Sequence, residues 1–142
     1  MVVKVFSHSE TGNTAKVARA IADAAGCAAD RADPSAAAGA AADLVFVGGA
    51  VYATHDHGLH PALKGFLEGL DPHRVKRAAV FATGFPSSDA AARMCRLLEA
   101  RGIRVEKEAF FCKGKFLLFQ RGHPGKADLD AAADFARRVV GA

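Results

Sequence analysis

The 142-residue sequence has no tryptophan, a single tyrosine and only three cysteines. Cys27, Cys95 and Cys112 are an odd number and form no Cys-x-x-Cys pair. This argues against a disulfide framework and against a thiolate metal site. Because free cysteines are most often buried, we expect three buried free thiols.

Long apolar runs are missing as well. No run reaches the roughly 18 to 20 residues that a membrane-spanning helix needs. The first residues, Met1 to Val5, lack the basic region, apolar stretch and cleavage site of a signal peptide. We therefore expect a cytoplasmic protein with no membrane partner.

Dense clusters of basic residues are also absent. The formal net charge is +4, but the lysines and arginines are scattered along the chain. The sequence has neither a basic run nor basic residues interleaved with aromatics, which a nucleic-acid platform requires. We expect no nucleic-acid partner, and we interpret the positive charge as a sign of association with acidic partners.

The sequence does contain an alternation of strand-like and helix-like segments, which is typical of an α/β fold with crossover helices. We assign residues 1–142 to a single domain. The predicted strands are Val2–Ser7, a weak Cys27–Arg31, Leu44–Gly48, Ala78–Thr83 and Ile103–Phe111. The predicted helices are Thr14–Ala25, His60–Leu70, a segment capped by Ser87, Ser88 and Asp89 that runs to Arg101, and Asp128–Val140.

The most specific pattern lies between the first strand and the first helix, over residues 9–14. The N-terminus of a helix has unpaired N–H groups and a partial positive charge, so it attracts phosphate. The loop has neither a P-loop lysine nor a Gly-x-Gly-x-x-Gly fingerprint, which argues against nucleotide triphosphate hydrolysis and dinucleotide binding. The alternative is that its hydroxyl side chains only cap the helix.

This segment resembles the flavodoxin phosphate-binding motif, [Ser/Thr]-x-Thr-Gly-x-Thr. The resemblance implies a flavodoxin-like three-layer sandwich, with a five-stranded parallel sheet of order 2-1-3-4-5 and helices on both faces. It also implies that the loop holds the phosphate of flavin mononucleotide (FMN). The residues around the phosphate would be Ser9, Glu10 (through its backbone), Thr11, Gly12, Asn13 and Thr14.

Two further loops correspond to those that line the flavin ring in this family. They contribute Ala50, Val51, Tyr52 and Ala53 from the second loop, and Thr83, Gly84 and Phe85 from the third. Tyr52 stands where the family places an aromatic over one flavin face; the alternatives are surface packing for Tyr52 and ordinary core packing for Phe85. Ala53 stands where flavodoxins commonly have Gly or Asn, so we expect weaker stabilisation of the half-reduced flavin.

Three histidines in the second loop, His55, His57 and His60, suggest a metal site, but their spacing matches no zinc signature. We expect no metal and interpret them as loop residues near the flavin edge, one of which could steer protons. His8 and His123 are expected in surface or loop positions. Cys112 and Lys113, at the end of the last strand, lie either beside the ring or in a solvated loop.

The resemblance implies an FMN-binding electron carrier that serves redox partner proteins, as a monomer or weak dimer, without catalytic side chains. Because the charge is positive, we expect those partners to have an acidic docking face. One alternative is an FMN-dependent NAD(P)H quinone or small-molecule reductase, which leaves open whether the chain is an enzyme. A second is a flavin-free interaction module on the same fold.

Overall fold

A parallel sheet forms the middle layer of the computed structural model, which describes residues 1–10, 12–52, 58–84, 89–113 and 124–142. Tyr52 is described by its backbone alone. The strands of the sheet are β1 (Val3–Ser7), β2 (Ala29–Arg31), β3 (Ala42–Gly49), β6 (Val75–Gly84), β7 (Arg104–Val105) and β8 (Phe110–Lys113). A separate antiparallel pair consists of β4 (Val51–Tyr52) and β5 (Gly58–Leu59).

The order of the strands agrees with the prediction. Neighbouring strands run β2-β1-β3-β6, and both β7 and β8 pair with the other edge of β6. All of these pairs are parallel. Because β7 and β8 lie one after the other along β6, they are two segments of a fifth strand. The predicted order 2-1-3-4-5 is therefore confirmed, with β6 as the fourth strand.

The prediction of one continuous last strand over Ile103–Phe111 is wrong. Val105 pairs with Ala78, and Phe110 pairs with Phe81. The four residues 106–109 therefore stand opposite only two residues of β6, 79 and 80, and cannot continue the strand. The two glutamates of this segment form ion pairs with distant residues. Glu106 Oε1 lies 2.9 Å from Arg77 Nη1, and Glu108 Oε2 lies 2.7 Å from Arg138 Nη2.

Helices cover both faces of the sheet and complete the three layers. They are α1 (Asn13–Ala25), α2 (Pro34–Ala37), α3 (Pro61–Glu68), α4 (Ala90–Ala100) and α5 (Lys126–Val140). Successive side chains of a strand point to opposite faces. Leu44 and Phe46 of β3 accordingly pack with α1 and α5, whereas Val45 and Val47 pack with α2, α3 and α4.

The expected cap of α4 is only partly described, since Ser87 and Ser88 lie outside the described residues. Asp89 occupies the N-cap position, but its side chain makes no capping hydrogen bond. Its backbone (φ −100°, ψ 13°) is not in the extended conformation usual for a capping residue. Instead, Asp89 Oδ2 accepts a hydrogen bond from Arg93 Nε at 3.0 Å.

The prediction of three buried thiols holds for Cys112 alone. Cys112 is 5% exposed, whereas Cys27 and Cys95 are partly exposed, and all three are free. Cys27 directly follows Gly26, which ends α1, and Cys95 lies on the flank of α4. No helix in the described part of the chain is long and apolar enough to cross a membrane. The cytoplasmic location stays a prediction.

The difference in burial predicts a difference in thiol reactivity. Burial, with a smaller contribution from the Asp128 carboxylate, raises the pKa of Cys112 from 9.0 to about 12, so this thiol stays protonated at pH 8. Because the thiolate is the nucleophile, iodoacetamide should alkylate Cys27 and Cys95 in the folded protein and spare Cys112. Mass spectrometry of the peptides, with denatured protein as the control, measures this. Equal labelling of all three cysteines in the folded state would contradict the buried position of Cys112.

Candidate cofactor-binding site

The loop after β1 turns into α1 through a glycine in the left-handed region. Gly12 has φ 88°, a backbone conformation that residues other than glycine rarely adopt. The position that a Cβ would occupy is open, with no described atom beyond the chain neighbours within 4 Å. Its amide donates to Ser9 Oγ at 2.9 Å, and its carbonyl accepts from the Lys16 amide at 3.1 Å. This is the first i to i−4 hydrogen bond of α1, so the amides that precede Lys16 donate to no carbonyl within the helix.

The described residues bear on the capping alternative only through Ser9, whose Oγ accepts from the amide of Gly12, the N-cap residue of α1. The N-cap position belongs to Gly12, which has no side chain, and α1 has no side-chain capping bond. Ser9 accepts a hydrogen bond from Gly12 and is half-buried, so its own hydroxyl proton remains available as a donor. Thr11, the remaining hydroxyl of the motif before Thr14, lies outside the described residues.

A buried hydrogen bond joins the first loop to the third. Thr14 Oγ1 and Thr83 Oγ1 lie 2.8 Å apart, and the two residues are 1% and 3% exposed. The sequence analysis predicted Thr14 at the phosphate and Thr83 at the ring. It did not predict that the two side chains are in contact. The contact arises because β1 and β6 both pair with β3 and end at the same edge of the sheet.

The second loop leaves the end of β3 and returns as a hairpin. Ala50 is buried, and Val51 is half-buried and pairs with Leu59. Tyr52 pairs through its backbone with Gly58. Ala53, His55 and His57 lie outside the described residues, as do Phe85 of the third loop and His123.

The ends of β6 and β8 lie side by side. Thr83 pairs with Cys112 and Gly84 with Lys113. Cys112 is therefore part of the sheet and its core rather than of a solvated loop, whereas Lys113 is exposed. The described residues among those predicted for the three loops lie at or after the carboxyl ends of β1, β3 and β6.

The histidines group differently from the sequence hypothesis. His60 lies beside His8 and Glu10: the two imidazole rings stack with centroids 3.9 Å apart, and His60 Nε2 is 3.7 Å from Glu10 Oε1. One ligand-type atom from each residue lies within 4.8 Å of the others. Two imidazoles and a carboxylate are a common zinc ligand set. Sequence reasoning missed this group because His60 is about 50 residues from His8 and Glu10 along the chain.

A hydrogen bond at the start of α3 decides how His60 faces Glu10. His60 Nδ1 accepts from the Ala62 amide at 3.0 Å, so His60 caps the helix. The neutral ring then carries its proton on Nε2, the nitrogen that faces Glu10. Nε2 cannot ligate a metal while it holds that proton. The arrangement therefore favours an electrostatic contact between His60 and Glu10 over metal binding.

Comparison with known proteins supports the fold. No family model matches the sequence, and no curated protein matches it. Solved structures match over almost the whole chain. Oxidised flavodoxin 2 from Bacillus cereus superposes with a TM-score of 0.76 at 18% identity, with 96% of each chain covered. A short-chain flavodoxin associated with a bacterial microcompartment gives 0.76 at 16% identity, covering 99% of this chain and 98% of that one.

The flavodoxin of Streptococcus pneumoniae TIGR4 has a TM-score of 0.71 at 20% identity and covers 99% of each chain. The chain has the flavodoxin fold. At these identities the likeness concerns the fold, and function depends on the residues of the site.

The flavodoxin fold gives the three loops their significance. From β1 the chain passes to β2 on one side, whereas β3 lies on the other, so the strand order reverses between β1 and β3. Ligands of open α/β sheets bind beyond the carboxyl ends of strands at such a reversal. The His8 amide donates to the Gly48 carbonyl at 3.1 Å and holds the two departing loops together at this point.

The Thr14–Thr83 hydrogen bond should contribute measurably to stability. The substitutions T14V and T83V each leave one buried hydroxyl without a partner, which costs about 1–3 kcal/mol. The double variant removes both hydroxyls and should lose less stability than the sum of the two single losses. Urea unfolding of the four proteins measures this coupling. Strictly additive losses would show that the two hydroxyls do not stabilise each other.

Proposed function

We propose that this chain binds FMN at the loops after β1, β3 and β6 and carries electrons between redox proteins. The observation that supports this most is the left-handed Gly12 loop, which leads into a helix N-terminus beside the reversal of strand order. In this strand order, that position is where flavodoxin-like folds bind FMN.

The first loop offers hydrogen-bond donors that suit the phosphate of FMN. The early amides of α1 and the Ser9 hydroxyl supply hydrogen bonds, and the open space beside Gly12 allows an anion to approach the backbone. We assign the phosphate contacts to Ser9, Gly12, Asn13, Thr11 and the backbone of Glu10. We assign Thr14 a positioning role, because it is buried and its hydroxyl faces Thr83.

The side chain of Glu10 raises an electrostatic question, because a carboxylate beside a phosphate is unfavourable. Glu10 Oε1 instead lies 3.7 Å from Nε2 of His60, a nitrogen that carries a proton while His60 caps α3. This contact draws the carboxylate toward α3 and leaves the backbone of Glu10 to the loop. The loop can thus serve an anion although it contains a carboxylate.

The remaining predicted residues would hold the ring. Ala50, Val51, Tyr52 and Ala53 would line one side, and Thr83, Gly84 and Phe85 the other. When bound, FMN supplies reversible transfer of one or two electrons, and the protein sets its potential and orientation. The chain's residues bind the flavin and exclude water from it, so the function needs no catalytic side chain.

The test compares the affinities of FMN and riboflavin, which lacks the phosphate. We expect FMN to bind more tightly than riboflavin, and S9A to weaken FMN binding about 10- to 100-fold, since a hydrogen bond to a charged group contributes about 1.5–3 kcal/mol. Riboflavin binding should not change. Quenching of flavin fluorescence on titration with protein measures both affinities.

Two further variants serve as controls. S9T keeps a hydroxyl and should retain FMN affinity. S35A removes a serine hydroxyl outside the first loop, at α2, which donates to Asp33. Equal affinity for FMN and riboflavin would overturn the phosphate assignment. A protein that binds neither flavin would support the flavin-free module, and rapid flavin reduction by NAD(P)H alone would support the reductase over the carrier.

A further inference from the structure

A cavity of about 360 Å³ opens between α3, α4 and the β5 segment. Among the described residues, the charged ones that line it are all cations: Lys64 from α3, and Arg93 and Arg96 from α4. Leu59 and Leu97 form its apolar part, and both pack against the hydrophobic core. The cavity therefore combines an apolar floor with a positively charged rim.

The positive charges of this cavity are only partly neutralised. Arg93 forms an ion pair with Asp89 at 3.0 Å. Lys64 and Arg96 are both exposed; no salt bridge within 4.0 Å is found for either among the described residues, although Arg96 also interacts electrostatically with Asp89. Like charges around one cavity repel each other, and an anion between them lowers their energy.

The cavity borders the loops that we assign to the flavin ring. Gly58, which lines it, is the cross-strand partner of Tyr52 in the β4–β5 hairpin. Arg93 lies in the first turn of α4, shortly after the third loop. A molecule seated in the cavity therefore lies beside the β4–β5 hairpin and the first turns of α4.

We propose that this cavity receives glutamate side chains from an acidic segment of the redox partner protein; the redox part of this statement rests on the proposed function. A glutamate has a short apolar stem, which suits Leu59 and Leu97, and a carboxylate, which suits Lys64 and Arg96. The volume is near the lower end for small-molecule sites. Charges on an exposed rim steer and orient a protein partner, which favours a side chain over a buried small molecule.

The experiment measures binding of a fluorescein-labelled hexaglutamate peptide by anisotropy, with hexaglutamine as the uncharged probe. The variant K64E/R96E reverses both unpaired charges. The control R19E/K107E changes the net charge by the same amount at exposed positions on α1 and between β7 and β8. Each protein is measured with and without added FMN.

We expect hexaglutamate, but not hexaglutamine, to bind, with affinity falling as salt rises. K64E/R96E should lose about tenfold or more in affinity, since two charge pairs contribute up to about 1 kcal/mol each and the reversed charges repel the peptide. R19E/K107E should change affinity by less than about twofold. Equal losses in both variants would show that net charge alone attracts the peptide, and would overturn the proposal.

Competition with inorganic phosphate and citrate shows whether the cavity binds a protein side chain or a small anion. If either small anion displaces the peptide at equal concentration, the cavity is a small-anion site and the proposal is wrong. The binding measurement does not depend on flavin. Peptide binding by a protein that never takes up FMN would therefore support the cavity assignment while overturning the proposed electron-carrier function.

Discussion

Strand β3 is the constraint on which the rest of the molecule depends. It lies between β1 and β6, and its residues Leu44 to Val47 are fully buried between the two helical layers. Both neighbours pair with it in register, so Ser7, Gly48 and Phe81 form one row across the sheet. A Cβ on Gly48 would collide with the ring of Phe81, so glycine is required for this row to form. The loops after β1 and β3 consequently leave the sheet at nearly the same level, and β6 continues two residues farther, paired with β8.

The proposed phosphate site would bind an anion with neutral donors. Gly12 turns the chain into α1, Ser9 supports that turn, and the His60–Glu10 contact accommodates the one carboxylate of the loop. Three of the described cations, Lys64, Arg93 and Arg96, line the cavity between α3 and α4. Cofactor binding and partner recognition would thus use separate groups, one neutral and one charged.

The sequence predicts most of the fold because local signals and the global arrangement agree. Gly26 ends α1 in the left-handed region, as its position after the helical repeat indicated, and the run from Leu44 to Gly48 forms the central strand. The interruption of the fifth strand was not predictable, because the registers of β7 and β8 on β6, and ion pairs such as Arg77–Glu106, are contacts between distant segments. The Thr14–Thr83 bond and the stacking of His8 on His60 escape prediction for the same reason.

The most direct measurement is the visible absorption spectrum of the purified protein, followed by mass spectrometry of the cofactor released on denaturation. If the loops after β1, β3 and β6 form an FMN site, the protein is yellow, or becomes so when FMN is added to cofactor-depleted protein. The released compound is then FMN rather than riboflavin or FAD. A well-folded, colourless protein that fails to take up added FMN would contradict the central claim.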